Sequence, residues 1–107
     1  MRLKLNIALN YGGRRELVVA IRKLISGGIR LDELNEEIVN RQLYTSGQGD
    51  PDLVIRTGGK IRLSNFLLWQ TAYSELYFSK KLWPDFSPAD LRASISWFQK
   101  QKRNFGK

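Results

Sequence analysis

The chain opens on alternation. Leu3, Leu5, Ile7 and Leu9 are apolar, Lys4 and Asn6 stand between them, and Ala8 makes the end of the run continuously apolar. Period two that closes into an apolar run predicts a strand over 3–9, buried at its end. Asn10-Tyr11-Gly12-Gly13-Arg14 reads as a tight turn. Leu17, Ala20, Ile21, Leu24 and Ile25 then recur at helical spacing, and Gly27-Gly28 suits the stop of that helix. Asp32 is the expected cap of a second helix, with Leu34 and Ile38 inside and Glu33, Glu36 and Glu37 on the solvated face.

Residues 45–51 have the composition of a loop. Leu53-Val54-Ile55, bounded by Pro51 and Gly58-Gly59, reads as a short buried strand. Ser64-Asn65 is expected to cap a helix carrying Phe66, Leu67, Leu68 and Trp69. Leu76-Tyr77-Phe78 is the third expected strand, and Trp83 to Phe86 a loop. Ser87-Pro88-Ala89-Asp90 combines a cap, a first-turn proline and an acid three residues on, before a helix faced by Leu91, Ile95 and Phe98. Trp69, Trp83 and Trp97 are assigned to the core.

The order β-α-α-β-α-β-α is that of an α/β fold, a parallel sheet with flanking helices. With 107 residues the chain is a single domain or a half-domain. In such sheets ligands sit at the carboxyl ends of the strands. The glycine-rich turns after residues 9 and 55 fall at those ends.

Composition removes whole chemistries. There is no Cys and no His. Disulfides, thiolate sites, cysteine nucleophiles and a Ser-His-Asp triad are excluded, and any metal must take oxygen ligands, which favours a hard cation such as Mg²⁺. No apolar run reaches the roughly 18 residues of a membrane span, and the first residues do not read as a signal peptide. A cytoplasmic protein is expected. Eighteen Lys and Arg against ten Asp and Glu give a net charge of +8. Such a charge asks for an anionic partner: nucleic acid, a membrane surface or a phosphorylated small molecule.

The densest chemistry is Arg56-Thr57-Gly58-Gly59-Lys60-Ile61-Arg62-Leu63-Ser64-Asn65. A strand ends, Gly58 and Gly59 let backbone approach a ligand, and a helix is expected to begin with its unpaired N–H groups. Arg56, Arg62 and Ser64 converge there, and guanidinium forks match phosphate oxygens. This is an anion cradle for a phosphate or diphosphate. It is not a Walker A loop, because Ile61 follows Gly59-Lys60. Glu75, set in Tyr73-Ser74-Glu75-Leu76-Tyr77-Phe78, must pair with a cation or ligate a metal; the pattern alone favours the ion pair.

These stretches, with Leu5 to Arg14, Ser74 to Phe78, Leu82 to Phe86 and Phe105-Gly106, closely resemble the cis-prenyltransferases, of which the undecaprenyl diphosphate synthases are nearest in character. The resemblance covers essentially the whole chain. It implies addition of isopentenyl diphosphate to an allylic diphosphate, with Mg²⁺ and no other cofactor. It implies that Arg56, Arg62 and Ser64 hold the isopentenyl diphosphate, with Gly58 and Gly59 beside them. It raises Glu75 to a metal ligand and lets Asn10, Gly12, Gly13 and Arg14 shape the neighbouring site. Gly106, in the closing motif, would reach a diphosphate across a dimer interface.

The chain departs from the family at Arg15, Lys60, Ile61 and Asn104, and it lacks the family's Asp-Gly-Asn-Gly-Arg-Trp-Ala motif. The expectation is therefore the second half of such an enzyme, inactive alone, with a homodimer or the missing first half as partner. Its product offers a link to a membrane surface; no nucleic acid is expected. The rivals are a non-catalytic subunit completing a site in trans and, last, a basic RNA- or membrane-binding domain, whose only support is charge.

Overall fold

The computed structural model describes residues 3–103. The first helix, α1 (Gly13–Ser26), turns Gly13, Glu16 and Ala20 inward. It closes as the glycine pair predicts: Gly28 N–H donates to Ile25 O and Ile29 N–H to Leu24 O, the paired bonds of a Schellman stop. A single 3₁₀ turn, Leu31–Glu33, leads to α2 (Glu36–Gln42). The cap of α2 is Asn35, whose side chain accepts from Ile38 N–H at 2.8 Å; Asp32 instead lies in the 3₁₀ turn and pairs with Arg30.

Two strands, β1 (Leu53–Arg56) and β2 (Glu75–Phe78), pair in parallel with Leu53 opposite Glu75 and Arg56 opposite Phe78. A short 3₁₀ turn at Trp83–Asp85 precedes α3 (Pro88–Gln99). The start of α3 is the expected reciprocal cap: Ser87 Oγ accepts from Asp90 N–H, and Asp90 Oδ2 accepts from Ser87 N–H. Trp97 packs edge-on against Tyr77, with ring centroids 5.3 Å apart, and so seats α3 on the sheet.

The fold is α/β with a parallel sheet, as the pattern predicts, but two elements and one side chain differ. Residues 3–9 form no strand, and Leu3, Leu5, Ile7 and Leu9 are all exposed. A strand needs a neighbouring backbone to bond, and among the described residues none bonds this segment, whose side-chain contact is Asn6 donating to Gln48 Oε1 at 2.6 Å. Residues 64–69 form turns, not a helix, with Ser64, Asn65 and Leu67 at φ of 51°, 67° and 45°. Trp83 is 74% exposed and stacks on Phe86 at the surface, so only Trp69 and Trp97 are partly buried.

Candidate anion site

Arg56 ends β1, and Ser79 N–H donates to its carbonyl at 2.8 Å. The chain then turns through Gly58 and Gly59 at φ of 96° and 81°, a region open to glycine at little cost. Their amides are already used: Gly58 N–H donates to Lys81 O at 2.8 Å and Gly59 N–H to Ser79 O at 3.0 Å. The double glycine therefore fastens this loop to the segment after β2, and offers no backbone donors to a ligand. With residues 64–69 in turns, the expected helix start is missing too. The cradle rests on side chains.

Those side chains do converge. Arg56 Nη1 donates to Ser64 Oγ at 2.8 Å and to the Arg62 carbonyl. Both bonds use one nitrogen, so Nη2 and Nε remain for an anion. The guanidinium opens on a cavity of about 360 Å³ that Arg62 and Ser64 also line. Its other walls include Val54, Ile55, Leu63, Phe66 and Phe78. A fork of cationic donors against an apolar pocket suits a ligand with one anionic and one hydrocarbon end.

The Asn10–Arg14 turn is brought beside this site by close packing. Gly13 N–H donates to Asn65 O at 2.7 Å, and Arg14 N–H to Asn65 Oδ1 at 3.0 Å. Asn65 thus caps α1 from 51 residues away. Asn10 takes a left-handed φ of 52°. Phe66 lies edge-on to Tyr11 at 5.7 Å. It also lines a second cavity of about 510 Å³, with Asn10, Tyr11 and Gly12 among its walls.

A buried polar network in the wall of that second cavity escapes sequence reasoning. Glu16 is 2% exposed and accepts from Tyr11 Oη, from Tyr44 N–H at 2.7 Å and from Gln70 Nε2 at 3.1 Å. Burial, then the bond to Glu16, pushes the Tyr11 hydroxyl pKa well above its ordinary value of 10.0. The available signal was an acid on the inner face of α1, between Gly13 and Ala20.

Glu75 lies elsewhere. It begins β2 opposite Leu53, three register positions from the Arg56–Phe78 pair, or about 10 Å along the strand. The ion pair that the pattern favours for it does not form among the described residues. No three Asp, Glu, His or Cys residues gather into a metal-holding group among them either. At that same end Arg103 binds Asp52 Oδ1 at 2.7 Å and the Tyr73 carbonyl at 3.1 Å. Gly106 lies outside the described residues.

The family model of the undecaprenyl diphosphate synthases matches residues 1–106. An isoprenyl transferase of Listeria innocua is 51% identical over 97% of this chain and 43% of its own length. A tritrans,polycis-undecaprenyl-diphosphate synthase (geranylgeranyl-diphosphate specific) of Sulfurisphaera tokodaii is 51% identical over 96% of this chain and 41% of its own. Lavandulyl diphosphate synthase from Lavandula x intermedia, solved with dimethylallyl diphosphate, superposes with a TM-score of 0.84 at 41% identity. That match covers 91% of this chain and 44% of that one. The chain spans less than half the length of each of these relatives.

Proposed function

Since this chain belongs to the undecaprenyl diphosphate synthase family of prenyltransferases, we propose that it supplies the isopentenyl diphosphate-binding half of a cis-prenyltransferase. The observation that carries this reading is the Arg56 guanidinium, held by Ser64 Oγ and the Arg62 carbonyl at the mouth of the 360 Å³ apolar cavity. Arg56 and Arg62 bind the diphosphate. Val54, Leu63 and Phe78 enclose the five-carbon end and keep water from it. Arg14 borders the same region through Asn65, and Asn10 lines the second cavity, which shares the Phe66 wall. Transfer forms a carbon–carbon bond to an allylic chain whose own diphosphate leaves, and this chain does not supply the groups that hold that leaving diphosphate.

Among the described residues no complete magnesium site gathers. One carboxylate, Glu75, stands at the far end of β2 from Arg56, so the other oxygen donors must come from outside these residues. Glu75 and the Arg103 anchor of the tail share that amino end of the sheet. Both would then serve a site completed by another chain. A non-catalytic subunit that completes a site in trans is the second reading, favoured by the unpaired segment 3–9.

The test is a titration with isopentenyl diphosphate followed by amide shifts. Wild type is expected to shift at Thr57, Arg62 and Ser64. Arg56→Ala should weaken binding about tenfold to a hundredfold, the usual cost of losing a hydrogen bond to a charged group. Identical titrations for wild type and Arg56→Ala would refute the site.

A further inference from the structure

The outer face of α1 carries a pattern that the anion site does not use. Val18, Ile21 and Ile25 follow the i, i+3, i+7 spacing that aligns side chains on one side of a helix. They are 47%, 51% and 69% exposed, although the opposite face buries Gly13, Glu16 and Ala20. Arg15 precedes Val18 by three residues and Arg22 follows it by four, so the two cations stand together along one edge of the aliphatic line. The only acid of α1, Glu16, is buried on the far side.

The charges on this face are also unspent. Arg30, Arg41, Lys81 and Arg103 all pair with carboxylates, whereas Arg15 and Arg22 make no ion pair among the described residues. An aliphatic stripe rimmed by free cations and lacking acids is the composition of a helix that lies in a bilayer interface. Each cation there adds attraction to anionic headgroups.

We propose that the Val18–Ile21–Ile25 face of α1, with Arg15 and Arg22, docks this chain on an anionic lipid surface. The use of such docking rests on the prenyl-transfer reading, because a lengthening polyprenyl product must leave into a bilayer. The face itself is argued from α1 alone.

The experiment is co-sedimentation of the full chain with vesicles of phosphatidylglycerol and, separately, of phosphatidylcholine. Binding to the anionic vesicles that falls as salt rises, with little binding to the neutral ones, is expected. Arg15→Glu with Arg22→Glu should lower the binding on the order of tenfold or more. Ile21→Ser with Ile25→Ser should also lower it, with helical circular dichroism unchanged in both variants. Arg92→Glu, an exposed cation on α3, should leave it intact. The two readings separate, because Arg56→Ala should lose isopentenyl diphosphate yet keep the vesicles, and Arg15→Glu with Arg22→Glu the reverse. Failure of wild type to bind anionic vesicles would overturn the proposal. So would equal loss with Arg92→Glu, self-association through Ile21 and Ile25, or short RNA taking the face more tightly than the vesicles do.

Discussion

A β-carbon on Gly13 would stand 2.9 Å from both the Asn65 carbonyl oxygen and Leu68 Cγ. The first of these is backbone and cannot rotate away, so Gly13→Ala must push the 64–68 turn off α1. The expected cost is about 1 to 3 kcal/mol, the range for overpacking, read as a lower midpoint in urea. Diphosphate binding should weaken as well, since Ser64 moves with Asn65. Tyr11 makes a second residue-scale prediction. Its hydroxyl pKa is raised in the folded state, chiefly by burial and next by the Glu16 bond. The stability it lends is whole below the unfolded value of about 10 and drains away as pH climbs beyond it. Thermal melts of wild type should therefore fall steeply above pH 10. Tyr11→Phe should melt lower at neutral pH and lose much of that alkaline slope.

At the scale of the element, α3 depends on its first turn. Ser87 and Asp90 cap one another, and Lys81 Nζ reaches both Asp90 oxygens at 2.8 and 3.0 Å. The Lys81 hydrogen bond, followed by those from Ser87, draws the Asp90 carboxyl down from 3.8 to about 2. A depressed carboxylate contributes stability that is present above its unfolded value and lost as pH falls through its folded one. Melts from pH 5 to pH 2 should show this loss, and Asp90→Asn should flatten it while lowering stability at neutral pH. Ser87→Ala should cost about 1 kcal/mol, the typical worth of such a cap.

The whole molecule exposes more surface than its size requires. Its accessible area is 8844 Å², whereas a folded monomer of this mass presents roughly 6100 Å². Its radius of gyration is 16.3 Å, against about 13 Å for a compact domain of this length. Leu3, Leu5, Ile7 and Leu9 are 94%, 80%, 74% and 84% exposed, and only Ala20 and Leu43 are fully buried apolar residues among those described. Unpaired backbone beside apolar side chains is a template for another chain. Light scattering coupled to size exclusion should find masses above the 12.4 kDa monomer, rising with concentration. A constant monomeric mass with one cooperative melt would mean that these surfaces are tolerated in water.

What the sequence settled alone was whatever local chemistry decides. β1 and β2 are short apolar runs between breakers, α1 stops at its glycine pair, and α3 starts at Ser87-Pro88-Ala89-Asp90. Arg56, Arg62 and Ser64 were legible as one site because a single turn of chain carries them within nine residues. Other features needed the folded chain. Asn65 looked like the cap of its own helix, yet it caps α1, and that remote bond replaces the local helix with left-handed turns. The 3–9 segment has the pattern of a strand, but a pattern cannot provide the neighbour that would bond it. Glu16 has no role that its own stretch of sequence announces; donors from Tyr11, Tyr44 and Gln70 close around it only in the folded chain. Glu75 reads from its pattern as one half of an ion pair, but the register of two parallel strands sets it at the amino end of the sheet with no such pair among the described residues. For Asn65 and Glu16 the deciding partners include residues 28 to 54 positions along the chain, and only tertiary packing brings those near.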